Sequence, residues 1–256
     1  MARSIETNIA IDKIWKSFDK KQMLEGFEIL QQASKNGDAD ACCFLGRCYM
    51  GEEFVWDGAG FPVDEQLASQ LIKQSVLYGS ADGVMCALRT GNLSPAVRKE
   101  MPFASLSDAF DMVKANAQAG DAFSQYEMGN AMFYGDYLTI YGKSESDKFS
   151  SEEQYNAFAY PIAAKYYAES FKNGLSAAFG NYRSIYFSEL AEISTRDFEA
   201  EMKRLADYGD PRVCNDYGKW LDDQYNDKKS AFRYYVMALE QGDLQSAYNV
   251  AVCYAT

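Results

Sequence analysis

The sequence predicts an all-α fold, a right-handed superhelix (solenoid) of helix-turn-helix repeats. Three observations carry this. One glycine turn recurs along the chain, helix-capping residues stand at fixed distances on both sides of it, and an apolar stripe of helical period leads into it. The unit is clearest from Asp227 to Tyr254. Asp227 offers a carboxylate to the free N–H groups that open a helix. Ala231, Tyr234, Tyr235 and Ala238 then give the i, i+3, i+4, i+7 spacing of one buried face. Gly242 accepts the left-handed backbone that ends this helix A, and Asp243 caps the helix B that follows.

The same register occurs at Gly37, Gly79, Gly120, Gly174, Gly209 and Gly242, spaced 42, 41, 54, 35 and 33 residues apart. Fifteen residues before them stand Gln22, Asp64, Ser105, Ala159, Ser194 and Asp227, of which four are favoured N-caps. Eleven before stand Gly26, Ala68, Ala109, Ala163, Phe198 and Ala231. Seven before, every residue is apolar or aromatic: Leu30, Ile72, Val113, Tyr167, Met202 and Tyr235. One after come Asp38, Ser80, Asp121, Leu175, Asp210 and Asp243, so five of the six can cap helix B.

The repeats run approximately 22–50, 64–91, 105–134, 159–187, 194–221 and 227–254 in a single solenoid over 1–256. A lead-in helix over 5–21, with Ile9, Ile11, Ile14, Trp15 and Phe18 as its apolar residues, is expected to cover the open end of the first repeat. Insertions occupy 51–63, 92–104 and 135–158. The first holds Phe54, Trp56 and Phe61 among acids, either contacting a ligand or folding back on the core. Its Gly58-Ala59-Gly60 is a turn signal without the pattern of a phosphate loop. In the second, Ser94-Pro95 opens a short helix that ends near Met101-Pro102. In the third, Lys143–Ser151 reads as exposed loop, Tyr137, Leu138, Ile140 and Tyr141 can pack or bind, and Ser150 or Ser151 caps the helix that meets Pro161. Ser105 with Asp108, and Ser194 with Asp197, are capping-box pairs.

The segments GDADACCFLGRCYMG from Gly37 and FPVDEQLASQLIKQSVLYGSADG from Phe61 resemble the Sel1-like repeat, a relative of the tetratricopeptide repeat. Gly46 and Tyr49 match its L-G-x-x-Y run, and Gly129 and Gly218 share the offset of Gly46. The repeat after Gly79 lacks the run, and the one after Gly174 has Arg183 in place of the glycine. The resemblance implies a protein-protein interaction scaffold or adaptor. Secreted members of the family tie helices with disulfides, but this chain lacks paired cysteines in each repeat. Cys42, Cys43, Cys48, Cys86, Cys214 and Cys253 therefore read as reduced, small packing residues in B helices of a cytoplasmic protein.

Composition excludes several classes. A net charge of -12 disfavours nucleic acid as a partner, and no stretch is apolar enough for a membrane span. Histidine is absent, which removes Ser-His-Asp and Cys-His mechanisms and the commonest metal ligand. The acid pairs Glu52-Glu53, Glu152-Glu153 and Asp222-Asp223 read as cap and solubility residues, so no catalytic residue, cofactor or metal is expected. Two alternatives stand behind the scaffold: a secreted or injected effector or inhibitor acting through its acidic surface, and an enzyme with its site in the inserted loops.

The binding expectation rests on the position six before each register glycine, which reads Gln31, Lys73, Lys114, Ala168, Lys203 and Val236 and so carries lysine in three of the six repeats. In tetratricopeptide-type stacks helix A lines the concave side, so these lysines form a row suited to an acidic or C-terminal carboxylate peptide. The competing reading pairs Lys114 with Asp111 and Lys203 with Glu199 on the helix surface. Phe27, Phe110 and Phe232 share the offset ten before the glycine and are assigned to packing. Tyr166, Tyr167, Tyr234 and Tyr235 are expected to clamp helix A to helix B. The last repeat has no further helix to cover it, so the array either continues or self-associates through that end.

Overall fold

The computed structural model of the chain describes residues 3–51, 55 and 60–255. The protein is 76% helical, with 16 helices and no strand among the described residues. Residues up to Ala191 form one compact unit and those from Glu192 onward a second. The first holds α1 (Ile5–Trp15), α2 (Lys20–Lys35), α3 (Ala39–Tyr49), α4 (Glu65–Leu77), α5 (Ala81–Arg89) and α6 (Pro95–Glu100). It continues with α7 (Leu106–Gln118), α8 (Ala122–Phe133), α9 (Asp136–Tyr141), α10 (Lys143–Ser146), α11 (Glu152–Lys172) and α12 (Ala178–Ser188). The second holds α13 (Thr195–Tyr208), α14 (Pro211–Tyr225), α15 (Lys228–Glu240) and α16 (Leu244–Ala255). Glu52, Glu53, Phe54, Trp56, Gly58 and Thr256 lie outside the described residues.

The six register glycines occupy one backbone state, with φ between 87° and 99°. A Cβ resists that conformation, which is why glycine stands there. Each turn also closes the same two hydrogen bonds. The glycine N–H donates three residues back, as from Gly37 to the Ser34 carbonyl, and the next N–H donates five back, as from Asp38 to Ala33. Equivalent pairs occur at Gly79, Gly120, Gly174, Gly209 and Gly242. This is the Schellman geometry, which satisfies the last carbonyls of helix A.

Side-chain capping follows the sequence except at the first helix A. Asp64, Ser105, Ser194 and Asp227 each accept an N–H at the start of α4, α7, α13 and α15. The first helix A is capped by Asp19, ahead of the register position Gln22, while the fourth is capped by Ser151, one of the two serines expected there. Pro161 therefore lies inside α11. On the B side Asp38, Ser80, Asp121, Asp210 and Asp243 cap as expected. Leu175 is buried instead, and α12 starts later without a side-chain cap.

Three close joints link one repeat to the next. Nine residues after the register glycine, Gly46, Gly129 and Gly218 sit on α3, α8 and α14. A Cβ on them would lie 2.9 Å from Ile72, 2.5 Å from Tyr167 and 2.6 Å from Tyr235, the apolar residues of the next helix A. Tyr167 and Tyr235 thus clamp helix A to the B helix of the preceding repeat. Tyr234 likewise packs edge-on to Tyr217 of α14, and it donates to Asp207 Oδ1 of α13 at 2.7 Å.

The lead-in helix ends at Trp15, short of the expected boundary. It packs along α2, where Gly26 admits Ile14 and the Ala10 carbonyl. It does more than cover the first repeat, because Trp15 also meets Phe44 on α3 and Phe123 on α8 edge-to-face at 5.4 and 5.6 Å. The third insertion is not a bland exposed loop throughout. α9 turns Ile140 inward, and Tyr141 meets Phe110 on α7 at 6.0 Å, so burial of this apolar face outweighs the polar stretch after it. Phe61 stacks on Phe27 at 4.7 Å, which makes that aromatic part of the core. α6 forms where Ser94-Pro95 indicated, capped by Ser94.

Candidate functional site

Two features of the first compact unit involve charged side chains held by helix B residues. The first is a cleft of about 860 Å³. It is lined by Arg47 and Met50 at the end of α3, Arg89 and Thr90 at the end of α5, Tyr126, Asn130 and Tyr134 of α8 and its C-cap, and Asp136 of α9. Arg47, Arg89 and Asn130 stand ten residues after their register glycines, so equivalent turns of three successive B helices present them together.

The polar groups of this cleft are fixed. Arg47 is buried and pairs with the equally buried Glu127 at 2.8 Å, a charge-assisted contact whose two members neutralise each other away from water. Arg89 donates Nε to Asp136 Oδ2 at 2.9 Å, and its guanidinium lies 4.9 Å from the Tyr134 ring centre. Burial opposes the Arg89 charge, but Glu127 and Asp136 outweigh it and hold its pKa above the usual value. The Asn130 oxygen accepts from Tyr167 at 2.8 Å and from Asn181 at 3.0 Å, which locks the amide. Burial pushes the Tyr126 phenol up, keeping it a neutral donor. Tyr134 is 55% exposed at the rim.

The second feature lies at the other ends of the same helices. Arg3 is buried against Asp82 and Asp121. Beside it Asp38 accepts from Ser4 at 2.5 Å and Thr7 at 3.0 Å, and Asp40 accepts from Ser80 at 2.6 Å. Burial first, and the charge of Asp82 second, raise the Asp40 pKa to about 6.

The three lysines expected to bind do not line the cleft. Lys73 and Lys114 are half-buried on α4 and α7 of the first compact unit, and Lys203 is exposed on α13 of the second. Lys203 pairs with Asp207, one turn on, rather than with Glu199, which accepts from Tyr225 at 2.6 Å. Lys114 makes no ion pair with Asp111 among the described residues. A further cleft of about 760 Å³ lies beside α11, lined in part by Gln125, Pro161, Lys165, Tyr166 and Asn173. The Arg47, Arg89 and Asn130 column escaped the sequence reading. Its signal was a charge pair, Arg47 and Glu127, set among apolar positions of B helices.

No family model matches the sequence, and no curated protein matches it. Among solved structures, it is similar to a Sel1 repeat protein from Oxalobacter formigenes, with 18% identity and a TM-score of 0.44, over 97% of this chain and 65% of that one. It is also similar to a protective antigen of uropathogenic Escherichia coli displaying an SLR fold, with 19% identity and a TM-score of 0.35, over 97% of this chain and 55% of that one. The chain therefore spans less than two thirds of the length of either structure. The repeated turns and glycine joints described above stand on this chain's own geometry, and it is these that resemble the Sel1-like repeat.

Proposed function

We propose that the protein is a non-catalytic interaction scaffold that holds a short segment of another polypeptide in the cleft between the ends of α3, α5 and α8. The observation that carries this reading is the column of Arg47, Arg89 and Asn130, which three repeats bring to one concavity of a size suited to a few residues. Arg89 engages Asp136 through Nε and Nη2, and its Nη1 makes no hydrogen bond among the described residues. That donor suits a carboxylate, from an acidic side chain or a chain terminus. Tyr126 and Tyr134 supply amphipathic surface beside it. A cytoplasmic setting is proposed with this reading, since Cys42, Cys43, Cys48, Cys86 and Cys214 are buried packing residues.

The lysines of helix A are a separate proposal for the same class of partner, and one experiment distinguishes the two surfaces. Peptides with free C-termini are selected from a random library on the wild-type chain and measured against Arg89→Gln, Tyr134→Ala and the triple charge reversal at Lys73, Lys114 and Lys203. The cleft reading expects peptides rich in carboxylates, bound at least about tenfold more weakly by the first two variants, a difference of about 1.4 kcal/mol. Loss of binding only in the lysine variant moves the site to helix A. Equal binding by all four proteins removes both.

A further inference from the structure

The seat of Arg3 is a complete receptor for a guanidinium group. Asp82 on α5 accepts from Nε at 2.7 Å and from Nη2 at 3.0 Å, a two-point contact that matches the planar fork. Asp121, the cap of α8, accepts from Nη1 at 2.8 Å, and Ser124 Oγ accepts from Nη2 at 3.1 Å. The Phe44 and Phe123 rings lie 5.3 and 5.9 Å from the guanidinium carbon. Its walls come from residues 40–124, while the group that fills it comes from residue 3, ahead of the first helix.

The walls also hold more negative charge than their occupant cancels. Asp82 and Asp121 touch Arg3 directly, and Asp40 stands next to Asp82 on the adjoining helix. Burial opposes the Arg3 charge, yet Asp82 and then Asp121 outweigh it, so the guanidinium is held more firmly protonated than in water. An ammonium cannot reproduce the arrangement, because a point charge cannot meet two oxygens of Asp82, one of Asp121 and a hydroxyl in one plane.

We propose that this slot is an arginine-binding site, filled by the chain's own Arg3 and able to take the guanidinium of another polypeptide segment when residue 3 vacates it. The recognised chemistry is an arginine side chain on an extended or mobile stretch, held by two carboxylates and an aromatic pair. This site is separate from the carboxylate-seeking cleft, and its partner carries the opposite charge.

The test is chemical rescue of the full chain. Arg3→Ala is unfolded thermally with increasing n-propylguanidinium, at concentrations too low to denature, beside n-propylammonium and beside the wild type. The variant melts lower than the wild type. Above the dissociation constant of the probe its Tm rises by about 3–6 °C for each tenfold increase in concentration. The ammonium gives a smaller rise, the wild type none, and Asp82→Asn added to Arg3→Ala abolishes the response. If Arg3→Ala does not fold unaided, refolding from urea with and without the probe replaces melting, and recovery of helical circular dichroism only with the guanidinium supports the site. No recovery, no rise in Tm, or the same rise in the wild type overturns it.

Discussion

Two joints in the first compact unit are built for the same purpose from different residues. Between α3 and α4 the helix B residue nine after the register glycine is Gly46, and Ile72 rests directly on it, with the Ala68 carbonyl close by. Between α5 and α7 the residue at that offset is Leu88, and these helices pack over a smaller surface. There the short helix α6 intervenes, and Leu93, Val97 and Phe103 pack with Leu88 against the core. One side chain at one offset thus goes with a close joint or with a wider one lined by inserted residues. Interiors pack to crystal density, so a missing Cβ must be matched by a nearer neighbour and a present one by more distance. The same offset carries Gly129 and Gly218 at close joints, and Arg183 on α12, the last helix before the division at Ala191.

The largest effect that can break this comparison comes from filling a close joint. Gly129→Ala puts a Cβ 2.5 Å from the Tyr167 ring and Gly218→Ala one 2.6 Å from Tyr235. Each is expected to cost about 2–3 kcal/mol in urea unfolding, and so is Gly46→Ala, whose Cβ would lie 2.9 Å from Ile72 Cγ1 with the Ala68 carbonyl 3.2 Å away. Equal tolerance at all three positions would remove the link between glycine and joint.

Next comes the charge beside the first joint. Asp40 has a pKa of about 6 when folded, above the 3.8 of a free carboxyl, so the folded chain binds this proton more tightly than the unfolded chain. Its contribution therefore favours the fold at low pH and is lost as pH rises from about 4 to about 6. Asp40→Asn is expected to stabilise the protein by about 1–2 kcal/mol at pH 7.5 and to leave it unchanged near pH 3.5. Unfolding curves at the two pH values check this, and a gain that is the same at both contradicts it.

A finer distinction separates the two tyrosines that close the glycine joints. Tyr167 donates to Asn130 and accepts from Asn181, whereas the Tyr235 hydroxyl makes no hydrogen bond among the described residues. Tyr167→Phe should cost about 1–2 kcal/mol, and Tyr235→Phe should stay within about 0.5 kcal/mol. The smallest effect has the opposite sign. Gly180 lies in α12 with open space where a Cβ would stand, so Gly180→Ala should stabilise by about 0.5–1 kcal/mol through helix propensity alone.

What was legible in the sequence was local. A left-handed glycine and a capping carboxylate act within a few residues, so Gly37 with Asp38 and Gly242 with Asp243 could be read without knowing what surrounds them. The register places the start of the first helix A at Gln22, but the helix extends to Asp19, the nearest carboxylate that can receive its N–H groups. The long-range features were not legible. Arg3 finds Asp82 and Asp121 at separations of 79 and 118 residues, and no short pattern announces such a pairing. Arg47, Arg89 and Asn130 form a column only once the repeats are stacked. Lys203 had an acidic residue one turn away on either side, and only the side-chain geometry selects Asp207 over Glu199.

The equivalence of the six turns is tested most directly where the backbone alone is at stake. At Gly37, Gly120 and Gly242 nothing lies within 4 Å of a would-be Cβ, and φ is 87°, 94° and 97°. Urea unfolding of the three single alanine variants should give the same loss at each, about 1–2 kcal/mol, the cost of holding an L-residue in that conformation. Losses that differ widely among the three, or none at all, would contradict the account of one turn repeated along the chain.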